Sequence, residues 1–121
     1  MRTLTIRIER DSRAGLRRAG DAFRKAWKSG RYQGEVRSFE SPAALFRVFT
    51  PARWGVIERL QANGPSTLRG LARALERDVK SVHRDVQVLI EECLIEKDTE
   101  GRIHVPFERI RAEFDMERTA A

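Results

Sequence analysis

Cysteine is almost absent. Cys93 stands alone among 121 residues, so no internal disulfide can form and no multi-cysteine zinc site can be built. Long apolar runs are missing too. Nowhere does the chain approach the roughly 18 unbroken apolar residues of a membrane span, and Met1–Glu9 holds no extended apolar stretch of the secretory-leader kind. A reducing cytoplasm and no membrane partner are therefore expected. The two histidines, His83 and His104, lie 21 residues apart with no cysteine or further histidine at ligand spacing, so neither a metal nor another cofactor is expected. Glycine-rich phosphate loops are absent, and Ser, His and Asp show no triad-like order. No internal repeat and no low-complexity linker interrupts a length that suits one domain, or a small domain with an arm.

What is present is charge. Charged residues make up 35% of the chain, with 24 Lys and Arg against 18 Asp and Glu, a formal net charge of +6 and a pI near 10.4. Such a balance favours a polyanionic partner and says nothing of fold. The excess is local. Residues 1–49 hold twelve basic and five acidic residues, residues 50–107 nine of each, and residues 108–121 three against four. The middle segment is polarised: five bases and two acids lie between Arg69 and Arg84, five acids and only Lys97 between Glu91 and Glu100. Solvated helix faces with intrahelical ion pairs would produce the same composition.

Periodicity divides the chain into elements. Leu4, Ile6 and Ile8 alternate with polar neighbours, the pattern of a half-buried strand. Asp11 or Ser12 can cap a helix with Leu16, Ala19, Phe23 and Trp27 on one stripe and Arg13, Arg17, Arg24 and Lys28 around it, ending at Ser29-Gly30. Val36–Phe39 reads as a short strand, and Ser41-Pro42 as the start of a short helix carrying Ala44, Leu45, Val48 and Phe49. Thr50-Pro51 repeats that signal ahead of a stripe of Trp54, Ile57 and Leu60, which Asn63-Gly64-Pro65 ends. Ser66 or Thr67 opens a helix bearing Leu68, Leu71, Ala72 and Leu75. Asp78 caps the next, whose apolar face is Val79, Val82, Val86, Leu89 and Ile90. Leu94–Asp98 and Arg102–Val105 read as two strands about a tight turn at Gly101, and Ile110–Met116 as a last strand before a frayed end at 118–121.

Three helices of about twelve, nine and fourteen residues followed by a hairpin form the order of a winged helix-turn-helix. The middle helix is rich in small residues (Gly70, Ala72, Ala74), and Glu76-Arg77-Asp78 has the length of the turn. With Val82 and Val86 inward, the wheel of about 100° per residue sets Lys80, Ser81, Arg84, Gln87 and Val88 outward. Arg can fork onto guanine, Gln onto adenine, and Ser or Lys onto phosphate or base. The segments 50–54 (Thr-Pro-Ala-Arg-Trp), 63–72 and, above all, Arg77-Asp78-Val79-Lys80-Ser81-Val82-His83-Arg84-Asp85-Val86 resemble the small winged-helix transcriptional regulators of archaea and bacteria, MarR-like or antitoxin-like DNA-binding proteins. The likeness runs over most of residues 36–116. It implies a DNA-binding regulator. That family usually carries glycine before the first leucine of the wing, where this chain has Cys93, which bears on the tightness of the helix–wing corner.

The expected DNA contacts are Lys80, Ser81, Arg84 and Gln87 as base readers, Arg69, Arg73, Arg77 and Arg102 on phosphates, and His83 at the flank of the third helix. Asp98 and Glu100 dilute the charge of the wing, leaving Arg102 as its contact. Arg77 and His83 share the Arg-x5-His spacing of HEPN-type ribonucleases. There the pair works on a long-helix bundle; here it straddles a helix cap, and the chain is not expected to be an enzyme. The strand at 4–8 needs a partner, which could be 36–39, 110–116 or a second chain. The whole reads as an α+β chain: an N-terminal strand–helix extension (1–49) for dimerisation or partner binding, a winged helix-turn-helix (50–107) and a C-terminal strand and tail (108–121). The expected function is sequence-specific double-stranded DNA binding by a homodimeric repressor. The alternative is an antitoxin whose basic N-terminal arm neutralises a cognate toxin.

Overall fold

The structure, a computed structural model, describes residues 1–10, 12–30 and 34–118. The expected cap at Asp11 and the end at 119–121 lie outside them. The elements follow in the order β1 (Thr3–Ile8), α1 (Ser12–Ser29), β2 (Glu35–Phe39), α2 (Pro42–Val48), α3 (Pro51–Asn63), α4 (Leu68–Leu75), α5 (Val79–Glu91), β3 (Glu96–Lys97), β4 (Ile103–His104) and β5 (Arg109–Glu113). The architecture is α+β. No described helix is long and apolar enough to cross a membrane. The chain forms two compact units, Phe46–Glu108 and a second made of Arg2–Leu45 with the segment that starts at Arg109. The extension and the C-terminal strand, expected as separate pieces, thus belong to one unit.

That unit is built on a three-stranded sheet of order β2-β1-β5, with both pairings parallel. β1 takes both intrachain partners that its alternation left open. Parallel neighbours need a crossover, and α1 supplies the one between β1 and β2. Leu4 and Ile6 are 5% and 0% exposed, and Leu45 and Phe39 are buried. The last strand ends at Glu113 rather than Met116. The apolar stripe of α1, which suits a core or dimer seam, stands open: Leu16, Phe23 and Trp27 are 74%, 68% and 80% exposed.

The other unit forms around α3, α4 and α5. Each helix starts at a side-chain cap: Thr50 Oγ1 accepts from Arg53 N, Thr67 Oγ1 from Gly70 N and Asp78 Oδ2 from Ser81 N. Such caps satisfy amides that the helix itself leaves unpaired. A side chain at Gly70 would crowd Thr67 Oγ1 at 3.0 Å, so the residue type follows from the cap. Val56, Ile57, Leu60, Leu71, Val82, Val86, Leu89, Leu94, Ile95, Ile103 and Phe107 form the core. Each large aliphatic one contributes about 1.5–3 kcal/mol relative to an exposed side chain. Trp54 is only half-buried, its ring stacked on Phe49 at 4.7 Å, and Val56 takes the core place expected for it. Val79, counted with the buried face, is 39% exposed because it occupies the first, rim position of α5.

Ser66 does not cap α4. It forms a β-bridge with Ile103, donating Ser66 N to Ile103 O at 2.9 Å and accepting from Ile103 N at 2.8 Å, and so ties the α3–α4 link to the hairpin. The hairpin strands are shorter than expected because Asp98 closes the loop. Its Oδ1 accepts from Glu100 N and Arg102 N, both at 2.9 Å, and Gly101 takes φ +83°.

Helices α4 and α5 both end on a left-handed residue that is not glycine, Glu76 at φ 53° and Cys93 at φ 65°. In each the following amide reaches back, Arg77 N to Ala72 O at 3.0 Å and Leu94 N to Leu89 O at 2.8 Å, as in a Schellman motif. Cys93 therefore makes the tight helix–wing corner that glycine would make, at a conformational cost. Glu76→Gly and Cys93→Gly are each expected to stabilise the chain by about 0.5–1 kcal/mol, read as a higher urea midpoint at unchanged m-value. A lower midpoint contradicts the strain.

Candidate nucleic-acid interface

Helix α5 carries one carboxylate between its cap and Glu91, and that carboxylate is turned inward. Asp85 is 8% exposed, the one charged residue of the described core. Its Oδ1 accepts from Arg53 Nε at 3.0 Å and its Oδ2 from Arg77 Nη2 at 2.7 Å. Arg53, from α3, also donates Nη1 to the carbonyls of Arg47 and Val48 at 3.1 and 3.0 Å, at the end of α2. Arg77 Nη2 further donates to Ser81 Oγ at 2.8 Å. One buried carboxylate thus joins α3, the α4–α5 turn and α5.

Two of the expected contacts lie in this network. Arg77 is half-buried and held by Asp85, and Ser81, also half-buried, accepts from Arg77. The reason is spacing: Ser81 and Asp85 lie four residues apart on one edge of α5, Arg77 reaches that edge from the turn before it, and Asp85 beside Val86 carries the edge toward the core. Arg53 and Asp85 went unnoticed as functional residues. The signal was there, an acid on the inner arc of the wheel between Val82 and Val86.

The opposite side of α5 presents Lys80, His83 and Arg84 exposed and Gln87 half-exposed. His83 and Gln87 touch through their Nε2 atoms at 3.4 Å. On α4, Arg69 and Arg73 are exposed. None of Arg69, Arg73, Lys80 or Arg84 forms an ion pair with a described residue. Asp78, at the start of this face, is used by its cap. Arg102 lies after the hairpin loop, 3.6 Å from Glu100, so the wing carries a partly compensated charge. His104 instead faces Glu96 across the hairpin at 3.7 Å. The exposed sides of α4 and α5 thus carry unmatched cations and the amide of Gln87, a strip of groups of the kind that bind phosphate oxygens and base edges along each helix.

A family model described as HVO_A0114 matches residues 48–112, from the end of α2 through most of β5. No curated protein and no solved structure matches the chain.

Asp85→Ala leaves two guanidinium groups without their shared carboxylate and is expected to cost about 3–5 kcal/mol. Arg77→Ala should destabilise clearly, whereas Arg73→Ala should stay within about 0.5 kcal/mol of the parent. Urea denaturation of the three variants checks this. Equal stabilities for Arg77→Ala and Arg73→Ala would return Arg77 to the surface.

Proposed function

The chain belongs to the HVO_A0114 family, and we propose that it is a winged helix-turn-helix protein that binds double-stranded DNA by sequence, as a dimer, and represses transcription by occupying a promoter. The observation that carries this reading is the setting of α5. Its one internal acid is buried against two arginines, while Lys80, Arg84 and Gln87 face solvent. The order α3, bridge at Ser66, α4, α5, β3, β4 supports the fold name, since the bridge supplies the strand that a wing pairs with. In this reading α5 enters the major groove, Lys80, Arg84 and Gln87 read base edges with His83 at their flank, Arg69 and Arg73 hold phosphates, and Arg102 reaches the backbone from the wing. The chain is then a binding protein and not an enzyme.

A second role has its own observation. The exposed stripe of Leu16, Phe23 and Trp27 lies on a helix rich in arginine, which suits a basic arm that covers an acidic-surfaced toxin. Co-expression with the product of an adjacent gene then gives a complex that Trp27→Glu breaks; a complex indifferent to that change removes this role.

For DNA binding, a gel shift with the region upstream of its own gene, at two salt concentrations, is the direct test. Arg84→Ala should cost about 1–3 kcal/mol and relax sequence preference. Arg73→Ala should weaken all sequences alike and lower the salt slope by up to about one unit. Parent-like binding by both variants refutes the assignment.

A further inference from the structure

β5 is an edge strand. It pairs with β1 on one side, and no described strand covers the other. Exposed edges usually carry charge that discourages pairing. Here the charges have an order: Arg109, Ile110, Arg111, Ala112, Glu113, Phe114, Asp115. Read outward from Ala112, bases on one side answer acids on the other, and Ile110 answers Phe114.

We propose that this edge is the seam of a homodimer, in which two copies of β5, each continued as extended chain through Phe114 and Asp115, pair antiparallel about a two-fold axis at Ala112. The inference deepens the dimeric part of the reading above and rests on it only for the presence of two copies. Antiparallel pairing about Ala112 sets Arg109 opposite the partner's Asp115 and Arg111 opposite the partner's Glu113, each twice by symmetry. It also sets Ile110 opposite the partner's Phe114. Cross-strand neighbours of opposite charge, and apolar pairs, stabilise a sheet. Strand alternation separates the two sets cleanly. Ile110 and Ala112 lie in register with Leu4 and Ile6, so the apolar pairs extend the face on which β1 is buried. Phe114, 39% exposed, would gain cover. The charged pairs extend the other face.

Alternatives of register fail on the same residues. An antiparallel slip of two residues one way places Arg111 against Arg111, and the other way Glu113 against Glu113. A one-residue slip sets charged side chains on the apolar face. Parallel in-register pairing matches like with like throughout. The other free edge is less suited: on β2, Glu35 is already bound to Arg2 at 2.8 Å and Arg37 lies 5.3 Å over the ring of Phe39. On β5, Arg111 Nε sits 3.1 Å from Glu113 Oε2 of its own strand, a pair that can be exchanged across the seam, while Arg109 and Asp115 make no ion pair with a described residue.

The test uses the full chain without DNA, in sedimentation velocity. One variant carries Arg109→Glu and Arg111→Glu, making the edge wholly acidic; the other carries Glu113→Lys and Asp115→Lys, making it wholly basic. The parent should be dimeric at micromolar concentration. Each variant alone should dimerise at least about tenfold more weakly, and an equimolar mixture should recover the dimer as a one-to-one heterodimer, counted by native mass spectrometry. Recovery on mixing also shows that both variants fold. A monomeric parent, variants that dimerise alone like the parent, or a mixture that stays monomeric each overturns the seam. The gel shift judges DNA binding separately. A β5 dimer that shifts no operator leaves the seam standing, and an operator bound by chains that fail the mixing test removes the seam alone.

Discussion

The carboxylate of Asp85 is the constraint from which the rest of the helical unit follows. It is a charge taken out of water, and a buried charge is tolerated only where partners satisfy it. Arg53 and Arg77 do so from two different elements, and Arg53 also reaches the carbonyls at the end of α2. Rotating α5 by one residue would strip Asp85 of these donors and drive a basic or polar side chain among the leucines. The rotation of α5 about its own axis is therefore set from the inside, and the outward display of Lys80, Arg84 and Gln87 is its consequence.

The same logic explains how a segment with nine bases and nine acids can still show a positive strip. Three acids of this segment have backbone or buried work, while Glu76 stays exposed at the end of α4. Asp78 accepts an amide at the start of α5, Asp98 accepts two in the hairpin loop, and Asp85 serves two guanidinium groups. The bases on the exposed side of α4 and α5 have no such counterpart. Polarity is created by sorting charges between structural and exposed positions, with no net excess required.

Local signals were legible. Thr50-Pro51, Thr67 and Asp78 announce helix starts through side-chain oxygens that reach only three residues, and the positive φ of Gly101 is a property of one residue. The stripes of α3 and α5 were readable to within their rims, where Trp54 and Val79 departed. What escaped depended on residues far apart in the chain. The bridge between Ser66 and Ile103 leaves no periodic trace, and although the wheel marks Asp85 as an inward acid it does not name Arg53 as the partner. The alternation of Leu4, Ile6 and Ile8 marked a strand, yet the period of two is the same for every partner, so the pairing could not be chosen. The candidate strip was largely legible because helical spacing alone sorts Lys80, Arg84 and Gln87 from the valines. The internal partners of Arg77 and Ser81 were not legible, because a wheel counts faces and takes no account of a buried acid such as Asp85 beside them.

The parallel pairing of β1 with β5 joins strands that the whole helical unit separates in sequence, Thr3 in register with Arg109. During synthesis β1 leaves the ribosome before the helical unit and β5 after it. The helical unit is made of near neighbours and can close as soon as it has emerged, whereas the pairing of β1 with β5 must wait for Glu113. Contacts so distant in sequence form slowly, so the nascent chain carries Leu4 and Ile6 without their β5 neighbours, Ile110 and Ala112, while the helical unit is made, a window in which a ribosome-bound chaperone has something to hold.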